Sequence, residues 1–260
     1  MPRRFERYVA LGDSTTEGLD DPDGHGGYRG WANRLAEQLA ARQGGVLYAN
    51  LAVRGRLATQ IRAQQLERAA DLRPDLASVV AGMNDLLRPG FDAAGVGHEV
   101  ERMQRTLIAG GATVVTFTLP DLTSVLPFAH RLNPRTLALN AALRHACAQT
   151  GARLLDLAAH PFASDPRLWS NDRFHANSVG HARIAAALAY TLELPGSDDA
   201  WTRALPPAPA LPRRARLVAE VAWVRRYLLP WLWRHARGRS SGDGRAPKRP
   251  ELTPFHAPPR

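Results

Sequence analysis

Ser14 stands at a place in the chain where a nucleophile could be presented. It closes the segment Gly12-Asp13-Ser14, which follows a short apolar run, Tyr8–Leu11, and precedes residues suited to a helix. A serine between a strand and a helix exposes its Oγ, and its backbone N–H is free because the first N–H groups of a helix lack partners inside the helix. Ser14 is therefore a candidate nucleophile, although taken alone it is better explained as a helix N-cap.

Asp172 and His175 could supply the general base that such a nucleophile needs. They lie three residues apart, just ahead of a helical pattern near the end of the main body of the chain. A general base requires an imidazole whose second ring nitrogen is held by a partner, which fixes its tautomer and orientation. On a tight turn the carboxylate of Asp172 can reach that nitrogen. Taken alone, the pair is better explained as a solvated loop with an ion pair.

Gly55 and Asn84 follow the second and third apolar runs and could stabilise an oxyanion. Glycine exposes its backbone N–H without a side chain in the way, and an asparagine at a strand end can aim its amide N–H at a developing negative charge. Each has an ordinary alternative, a turn glycine and an Asx turn. Together with Ser14, Asp172 and His175, however, they supply every role that acyl transfer requires.

With these residues in place, the sequence resembles the SGNH hydrolases, also called the GDSL esterase/lipase family, over roughly residues 5–195. The four signature residues match as Ser14, Gly55, Asn84 and His175, and Asp172 falls in the family's Asp-x-x-His block; the residue after the serine is threonine where the motif has leucine. The resemblance implies a flavodoxin-like three-layer α/β/α sandwich with a five-stranded parallel sheet. It also implies ester hydrolysis by a Ser-His-Asp triad, an oxyanion hole formed by Ser14, Gly55 and Asn84, and neither a metal nor a nucleotide cofactor.

The elements that must position these residues alternate between short apolar runs and longer helical patterns. Strands are predicted at Arg7–Leu11, Val46–Asn50, Leu76–Ala81, Thr113–Leu119 and Arg153–Leu157. Helices are predicted at Trp31–Arg42, Leu57–Asp71, Gly97–Ile108, Pro134–Thr150 and Ser178–Leu192, with Ser178 as the N-cap of the last. This alternation predicts an α/β fold whose parallel sheet is covered on both faces, with a site at the carboxyl ends of its strands.

Charge and composition divide the chain near residue 196. Residues 197–260 hold 13 basic and 5 acidic residues, and they account for +8 of the net charge of +10. The main body is therefore close to neutral and lacks the basic stripe that nucleic-acid binding requires. We predict a hydrolase domain at residues 1–196 and a basic tail at residues 197–260, with a proline-rich linker at 205–212, an amphipathic helix at about 213–237 and disorder over Ser240–Arg260.

The predicted tail helix carries apolar residues along one stripe, among many arginines and with tryptophans suited to a lipid headgroup layer. The stripe consists of Leu217, Val221, Val224, Leu228 and Trp231, and Pro230 should break or kink the helix. Two interpretations remain open. The stripe packs against the hydrolase domain or a partner chain, or the tail makes peripheral contact with an anionic membrane, with Trp223 among the residues at the interface.

The predicted catalytic residues are compatible with more than one function. The same catalytic frame would serve an acyltransferase or a carbohydrate deacetylase, and a non-catalytic binding module is a third alternative. The expected partner is a small-molecule ester, not a nucleic acid. The single cysteine, Cys147, excludes an internal disulfide and a cysteine-based zinc site. With no apolar run of the roughly 18 residues that a membrane span needs and no export signal at the N-terminus, we expect a cytoplasmic protein, or one at the inner face of the membrane.

Overall fold

A computed structural model describes residues 4–126, 128–209, 212–237 and 239–256. Its centre is a sheet made of β1 (Arg7–Leu11), β2 (Val46–Asn50), β3 (Leu76–Val79), β4 (Thr113–Phe117), β5 (Arg153–Leu155) and β6 (Arg249–Phe255). The spatial order is β5-β4-β3-β1-β2-β6. The first five strands run parallel, with Val9 of β1 paired to both Ala49 and Ala77. The predicted five-stranded parallel sheet is present, and β6 extends it.

Helices cover both faces of the sheet and give the three-layer α/β/α arrangement. The main-body helices are α1 (Ser14–Glu17), α2 (Gly30–Gln43), α3 (Ala58–Asp71), α4 (Met83–Leu86), α5 (Ala93–Ala109), α6 (Ala129–Thr150) and α7 (Ser178–Thr191). Helices α2 and α7 pack together on one face, and α3, α5 and α6 pack on the other. Each face buries its own apolar core, as covered parallel sheets require.

Boundary differences have local causes. The predicted third, fourth and fifth strands are two residues too long at their carboxyl ends, where the chain leaves the sheet to form loops. The N-cap of α7 is Asn177 rather than Ser178, because the Asn177 side chain accepts hydrogen bonds from the N–H groups of Val179 and Gly180. Helix α6 begins at Ala129, before Pro134, because its first turn is fixed by burial of Ala129 in an apolar cluster.

Strand β6 overturns the prediction of disorder for residues 249–255. It pairs antiparallel with β2, and Phe255 packs edge-on against Tyr48, 5.4 Å between ring centroids. An exposed edge of β2 would leave backbone groups unpaired, and β6 covers it. Because β6 contains two prolines, its composition does not predict a strand, yet prolines are tolerated in edge strands. Residues 257–260 of the predicted disordered stretch lie outside the described residues, as do residues 210 and 211 of the predicted linker.

The C-terminal helix, residues 213–236, is formed by α8 (Arg213–Trp223), a π-helical turn (Val224–Leu228) and α9 (Leu229–Ala236). Pro230 does not break it. A proline inside an α-helix removes one N–H donor and its ring crowds the carbonyl four residues earlier. The wider π-helical turn lies just before Pro230, at the carbonyl that the ring would crowd, so the helix continues. Within the described residues, no helix has the length and apolar character that crossing a membrane requires.

Packing of the C-terminal helix divides the predicted apolar stripe. Val224, Leu228 and Trp231 lie against the main body, where Trp231 stacks on Phe174 with ring centroids 6.1 Å apart. Leu217 and Val221 stay exposed. Trp223 is 3% exposed, so the prediction that it lies at a lipid headgroup layer is wrong; its ring packs on Phe128 instead. Trp223, Val224, Leu228 and Trp231 therefore dock the helix on the main body.

Candidate active site

Ser14 begins helix α1 directly after β1, so the end of a buried strand fixes its position. Asp13 is the N-cap of α1, and its Oδ1 accepts a hydrogen bond from the N–H of Thr15 at 3.0 Å. The N-cap expected at Ser14 is therefore supplied by the preceding aspartate, which leaves the Ser14 hydroxyl available. Among the described residues, the backbone N–H of Ser14 has no hydrogen-bond partner, as a donor to an oxyanion requires.

His175 links Ser14 to Asp172. Its Nε2 lies 2.8 Å from Ser14 Oγ, and its Nδ1 lies 2.6 Å from Asp172 Oδ2. The turn itself holds the carboxylate, since Asp172 Oδ1 accepts hydrogen bonds from the N–H groups of Phe174 at 2.8 Å and His175 at 3.0 Å. The structure thus brings the three residues into the order nucleophile, base and orienting carboxylate.

The ionisation of His175 and Asp172 follows from their contact. Burial alone would lower the pKa of His175, but the hydrogen bond and negative charge of Asp172 outweigh it and raise that pKa above its ordinary value. Burial likewise opposes ionisation of Asp172, yet the hydrogen bond and charge of His175 hold the pKa of Asp172 well below its usual range. Asp172 therefore stays ionised throughout the range in which His175 changes charge.

A second carboxylate, Asp20, lies beside this pair. Ser170 Oγ lies 2.6 Å from Asp20 Oδ2 and 2.6 Å from Asp172 Oδ1. The Ser170 hydroxyl can donate to either carboxylate, so its one proton links the two. Burial raises the pKa of Asp20, and the negative charge of Asp20 adds to that of Asp172 in raising the pKa of His175.

The same atoms could in principle attract a cation. Asp20, Asp172 and His175 place three potential ligand atoms within 4.8 Å of one another. Nδ1 of His175 and the facing oxygens of both carboxylates are nevertheless already joined through hydrogen bonds to one another and to Ser170. We therefore interpret the cluster as a proton-sharing network around the imidazole rather than as a metal site.

Gly55 is presented by a loop that a buried ion pair holds in place. Glu17, at the end of α1, accepts a hydrogen bond from the backbone N–H of Arg54 at 2.8 Å and from Arg54 Nε at 3.0 Å. Gly55 follows with φ +75°, a left-handed conformation that favours glycine. Its own N–H has no hydrogen-bond partner among the described residues, so it is available to an oxyanion.

Asn84, the other predicted donor, faces the same cavity from α4. Its Nδ2 donates to Asp13 Oδ2 at 2.8 Å and to the carbonyl oxygen of Arg56 at 3.2 Å. The longer of these bonds is the one that an incoming oxyanion would replace. Burial raises the pKa of Asp13 to about 6, so the carboxylate that orients Asn84 accepts best above that pH.

The five predicted residues meet at one cavity of about 1030 Å³, counting its part open to solvent, which is lined by Ser14, Gly55, Asn84, Asp172 and His175 among others. A second, more apolar cavity of about 640 Å³ adjoins it. The two share Thr15, Met83 and Phe174 in their walls. We call the first cavity the catalytic cavity, because the candidate nucleophile and the candidate base both lie there.

This geometry agrees with the comparison to known families. The GDSL-like lipase/acylhydrolase family matches residues 10–183, a range that holds all five residues. The chain belongs to the GDSL-like lipase/acylhydrolase family. As a member, it is an ester-hydrolysing enzyme. No curated protein sequence matches the chain.

Solved structures show the same fold at low sequence identity. Axe2, an acetylxylan esterase from Geobacillus stearothermophilus represented by a catalytic mutant, is 16% identical with a TM-score of 0.63, over 79% of this chain and 100% of that one. The psychrotrophic esterase EstA from Pseudoalteromonas sp. is 17% identical with a TM-score of 0.58, over 72% and 97%. TesA is 22% identical with a TM-score of 0.59, over 72% and 98%.

In this member of the GDSL-like family, the C-terminal helix holds the loop that carries Asp172. Trp223 Nε1 donates to the backbone carbonyl of Asp172 at 3.0 Å. Arg173, directly after Asp172, adopts φ +66°. This left-handed conformation costs a residue that has a Cβ about 1–2 kcal/mol. Its guanidinium bonds to Glu220 at 2.7 and 2.8 Å and lies 4.9 Å from the centre of the Trp223 ring. These contacts offset the strain and fix the loop.

The C-terminal residues also line the catalytic cavity. Tyr227, Trp231 and Arg234 of the C-terminal helix contribute to its wall, and Ser240 and Ser241 of the following turn close it beside Gly55. A Cβ on Gly55 would overlap Ser240 Oγ. The tail, predicted from composition as an appendage, is therefore a structural part of the site.

Sequence reasoning missed Asp20, Ser170 and the C-terminal wall. Asp20 carries no spacing signal, because it approaches His175 from a loop far away in sequence. No sequence pattern predicts the contact of Trp223, because its partner, the backbone carbonyl of Asp172, lies 51 residues earlier in the chain. Asp13 and Asp85 support neighbouring elements, since Asp13 caps α1 and Asp85 accepts a hydrogen bond from the N–H of Ala58 at the start of α3.

Proposed function

We propose that the chain hydrolyses carboxylic esters through a covalent intermediate on Ser14. His175 takes the Ser14 hydroxyl proton as Oγ attacks the ester carbonyl carbon, and Asp172 holds the imidazole in the required tautomer and stabilises its positive charge. His175 then gives that proton to the leaving alcohol as the ester C–O bond breaks. A water molecule attacks the acyl carbon and gives a proton to His175. His175 passes that proton to Ser14 Oγ as the bond between Ser14 and the acyl group breaks and the acid leaves.

The proposed oxyanion hole consists of the N–H groups of Ser14 and Gly55 and the Asn84 amide. The two backbone donors are free among the described residues, and Asn84 exchanges its longer bond for the oxyanion. Loss of one such donor generally costs about 3–4 kcal/mol of transition-state stabilisation. The loop-supporting contacts of Glu17 and Asp13 matter for the same reason, because they hold these donors before the substrate arrives.

The adjoining apolar cavity suggests the substrate class. Its walls include Phe117, Leu119, Leu157 and Phe162, and it reaches Thr15 beside the nucleophile. We infer that it accepts an apolar acyl chain, while the more polar catalytic cavity takes the alcohol portion. A panel of p-nitrophenyl esters from acetyl upward tests this. Replacing Ala163 on the cavity wall by Trp should shift the preference toward shorter chains, and an unchanged preference would place the acyl chain elsewhere.

The observation that carries the proposal is the pair of contacts at His175, 2.8 Å to Ser14 Oγ and 2.6 Å to Asp172 Oδ2. Ser14→Ala should abolish hydrolysis of p-nitrophenyl acetate and leave the melting temperature close to that of the wild type. His175→Ala should be nearly as severe, because members of one catalytic unit fail together. Activity of the purified Ser14→Ala chain within about tenfold of wild type would refute the mechanism.

The reaction products identify which acyl chemistry the proposed site performs. Product analysis with added alcohols distinguishes hydrolysis from acyl transfer on the same frame, and activity confined to acetyl esters would indicate a deacetylase. We also propose a cytoplasmic location, supported by a single cysteine, Cys147, which is buried and free. Fractionation of the source cells tests it, and recovery from an external fraction would contradict it.

A further inference from the structure

The outward side of the C-terminal helix carries an unusual concentration of exposed apolar side chains. Six of the nine large hydrophobic side chains that are exposed in the described residues lie on this helix. They form what we call the outer face: Leu217, Val218, Val221, Leu229, Leu232 and Trp233. Apolar surface concentrated in one patch, rather than scattered singly, marks an interaction site.

The outer face differs from the side that docks on the enzyme. The docked side consists of Trp223, Val224, Tyr227, Leu228 and Trp231, which are buried or half-buried. Spacings of three and four residues within α8 and within α9 put the outer-face residues together on the other side. The helix therefore has two apolar sides, and only one of them is covered by the main body.

The charge around the outer face indicates what could cover it. Between residues 213 and 239 the chain has eight arginines and a single acidic residue, Glu220, whose carboxylate is already paired with Arg173. Arg225, Arg226 and Arg234 are exposed, and Arg237 lies 4.0 Å from the centre of the Trp233 ring. A basic helix with tryptophan beside an apolar face is complementary to anionic headgroups lying over acyl chains.

We propose that the outer face is the site at which this enzyme binds the surface of a membrane containing anionic phospholipid. The outer-face side chains enter the boundary between headgroups and acyl chains, and the surrounding arginines contact the phosphates. Because the same helix lines the catalytic cavity through Tyr227 and Trp231, the lipid surface then lies about 10–12 Å from that cavity, one helix diameter. Esters dissolved in the membrane would thus be concentrated close to Ser14.

Vesicle sedimentation of the full chain tests the proposal. We expect binding to vesicles of phosphatidylcholine and phosphatidylglycerol in equal parts, weakening as salt rises, and much weaker binding to phosphatidylcholine alone. Leu232→Ser combined with Trp233→Ser should reduce binding at least about tenfold. The matched control is Leu137→Ser combined with Val179→Ser, since these exposed residues lie on α6 and α7; it should bind as the wild type does.

Charge is tested separately from the apolar face. Arg225→Gln should weaken binding about fivefold, which is about 1 kcal/mol per arginine, whereas Arg102→Gln, an exposed arginine on α5, should have no effect. Ser14→Ala should bind vesicles as the wild type does, so failure of lipid binding and failure of the hydrolase mechanism are distinguishable. Equal binding to both vesicle types, or no loss in the outer-face variant, would overturn the proposal.

A competing occupant gives a different result. If a second copy of this chain covers the outer face, the wild type should sediment as a dimer in the ultracentrifuge. The Leu232→Ser, Trp233→Ser chain should then be a monomer, and neither should bind vesicles. That outcome would assign the outer face to self-association and would overturn the lipid proposal. Hydrolysis of p-nitrophenyl acetate without vesicles should be unchanged in the variant, since neither residue lines the catalytic cavity.

Discussion

Asp20 offers a sharp test of the hydrogen-bond network around His175. We predict that Asp20 is ionised over the range in which His175 titrates, since its negative charge helps to raise the pKa of His175. Asp20 Oδ2 lies 3.8 Å from His175 Nδ1, and its side chain is 39% exposed. At this exposure the dielectric constant of water applies, and the charge of Asp20 then favours the imidazolium by about 1 kcal/mol. It therefore raises the midpoint of the acid limb of the pH profile by about 0.8 pH unit.

The assay is the pH dependence of kcat/KM for Asp20→Asn, whose side chain has the same shape but no charge. Activity requires neutral His175, so it falls as pH drops through the pKa of His175, which Asp172 raises above its ordinary value of about 6.5. We expect the midpoint of this limb to fall by about 0.8 pH unit in Asp20→Asn. An unchanged midpoint would show that Asp20 is neutral in this range, and would refute the reasoning. Asp23→Asn, an exposed aspartate in the same loop, is the control.

Other predictions concern the donors and the C-terminal wall. Asn84→Ala should lower kcat about 10²- to 10³-fold with a smaller change in KM; a raised KM at unchanged kcat would make Asn84 a substrate-binding residue instead. Gly55→Ala should lower kcat at least about tenfold, because it displaces the Gly55 N–H from the oxyanion. Adding Ser240→Gly should recover part of that loss by removing the overlap between the new Cβ and Ser240 Oγ. Failure to recover would mean that the turn does not contact Gly55. Trp223→Phe keeps an aromatic ring but loses the hydrogen bond to the Asp172 carbonyl. We therefore expect the unfolding free energy to fall by about 1 kcal/mol and kcat to fall as well. Wild-type values of both would show that Trp223 does not support the loop that carries Asp172.

The sequence predicted the parts of the fold that depend on local pattern. Alternating apolar runs and helical periods identify β1 to β5 and their covering helices, because each buried strand needs a continuous apolar run. The positions of Ser14, Gly55, Asn84 and the Asp172–His175 turn follow from the same alternation, since parallel strands bring their carboxyl ends to one edge. The structure brings all five residues to one cavity for that reason.

The missed features depend on contacts between distant parts of the chain. Strand β6 contains Pro250 and Pro254, and only the open edge of β2 makes such a segment a strand. The sequence does not distinguish Trp223 from a surface tryptophan, because only the fold brings its indole N–H to the Asp172 carbonyl. In the same way, the period of the C-terminal helix shows that an apolar stripe exists but not which side docks, because Val224 and Val221 are equally apolar and only one packs against the enzyme.

Covalent labelling with a fluorophosphonate, followed by peptide mapping, tests the central claim most directly. The reagent phosphonylates only a serine whose hydroxyl is activated by a base and whose oxyanion is stabilised. The proposed mechanism predicts a single modified residue, Ser14, and loss of labelling in His175→Ala. Absence of labelling in the folded wild type, or modification of Ser240 or Ser241, the other two serines that line the cavity, would contradict it.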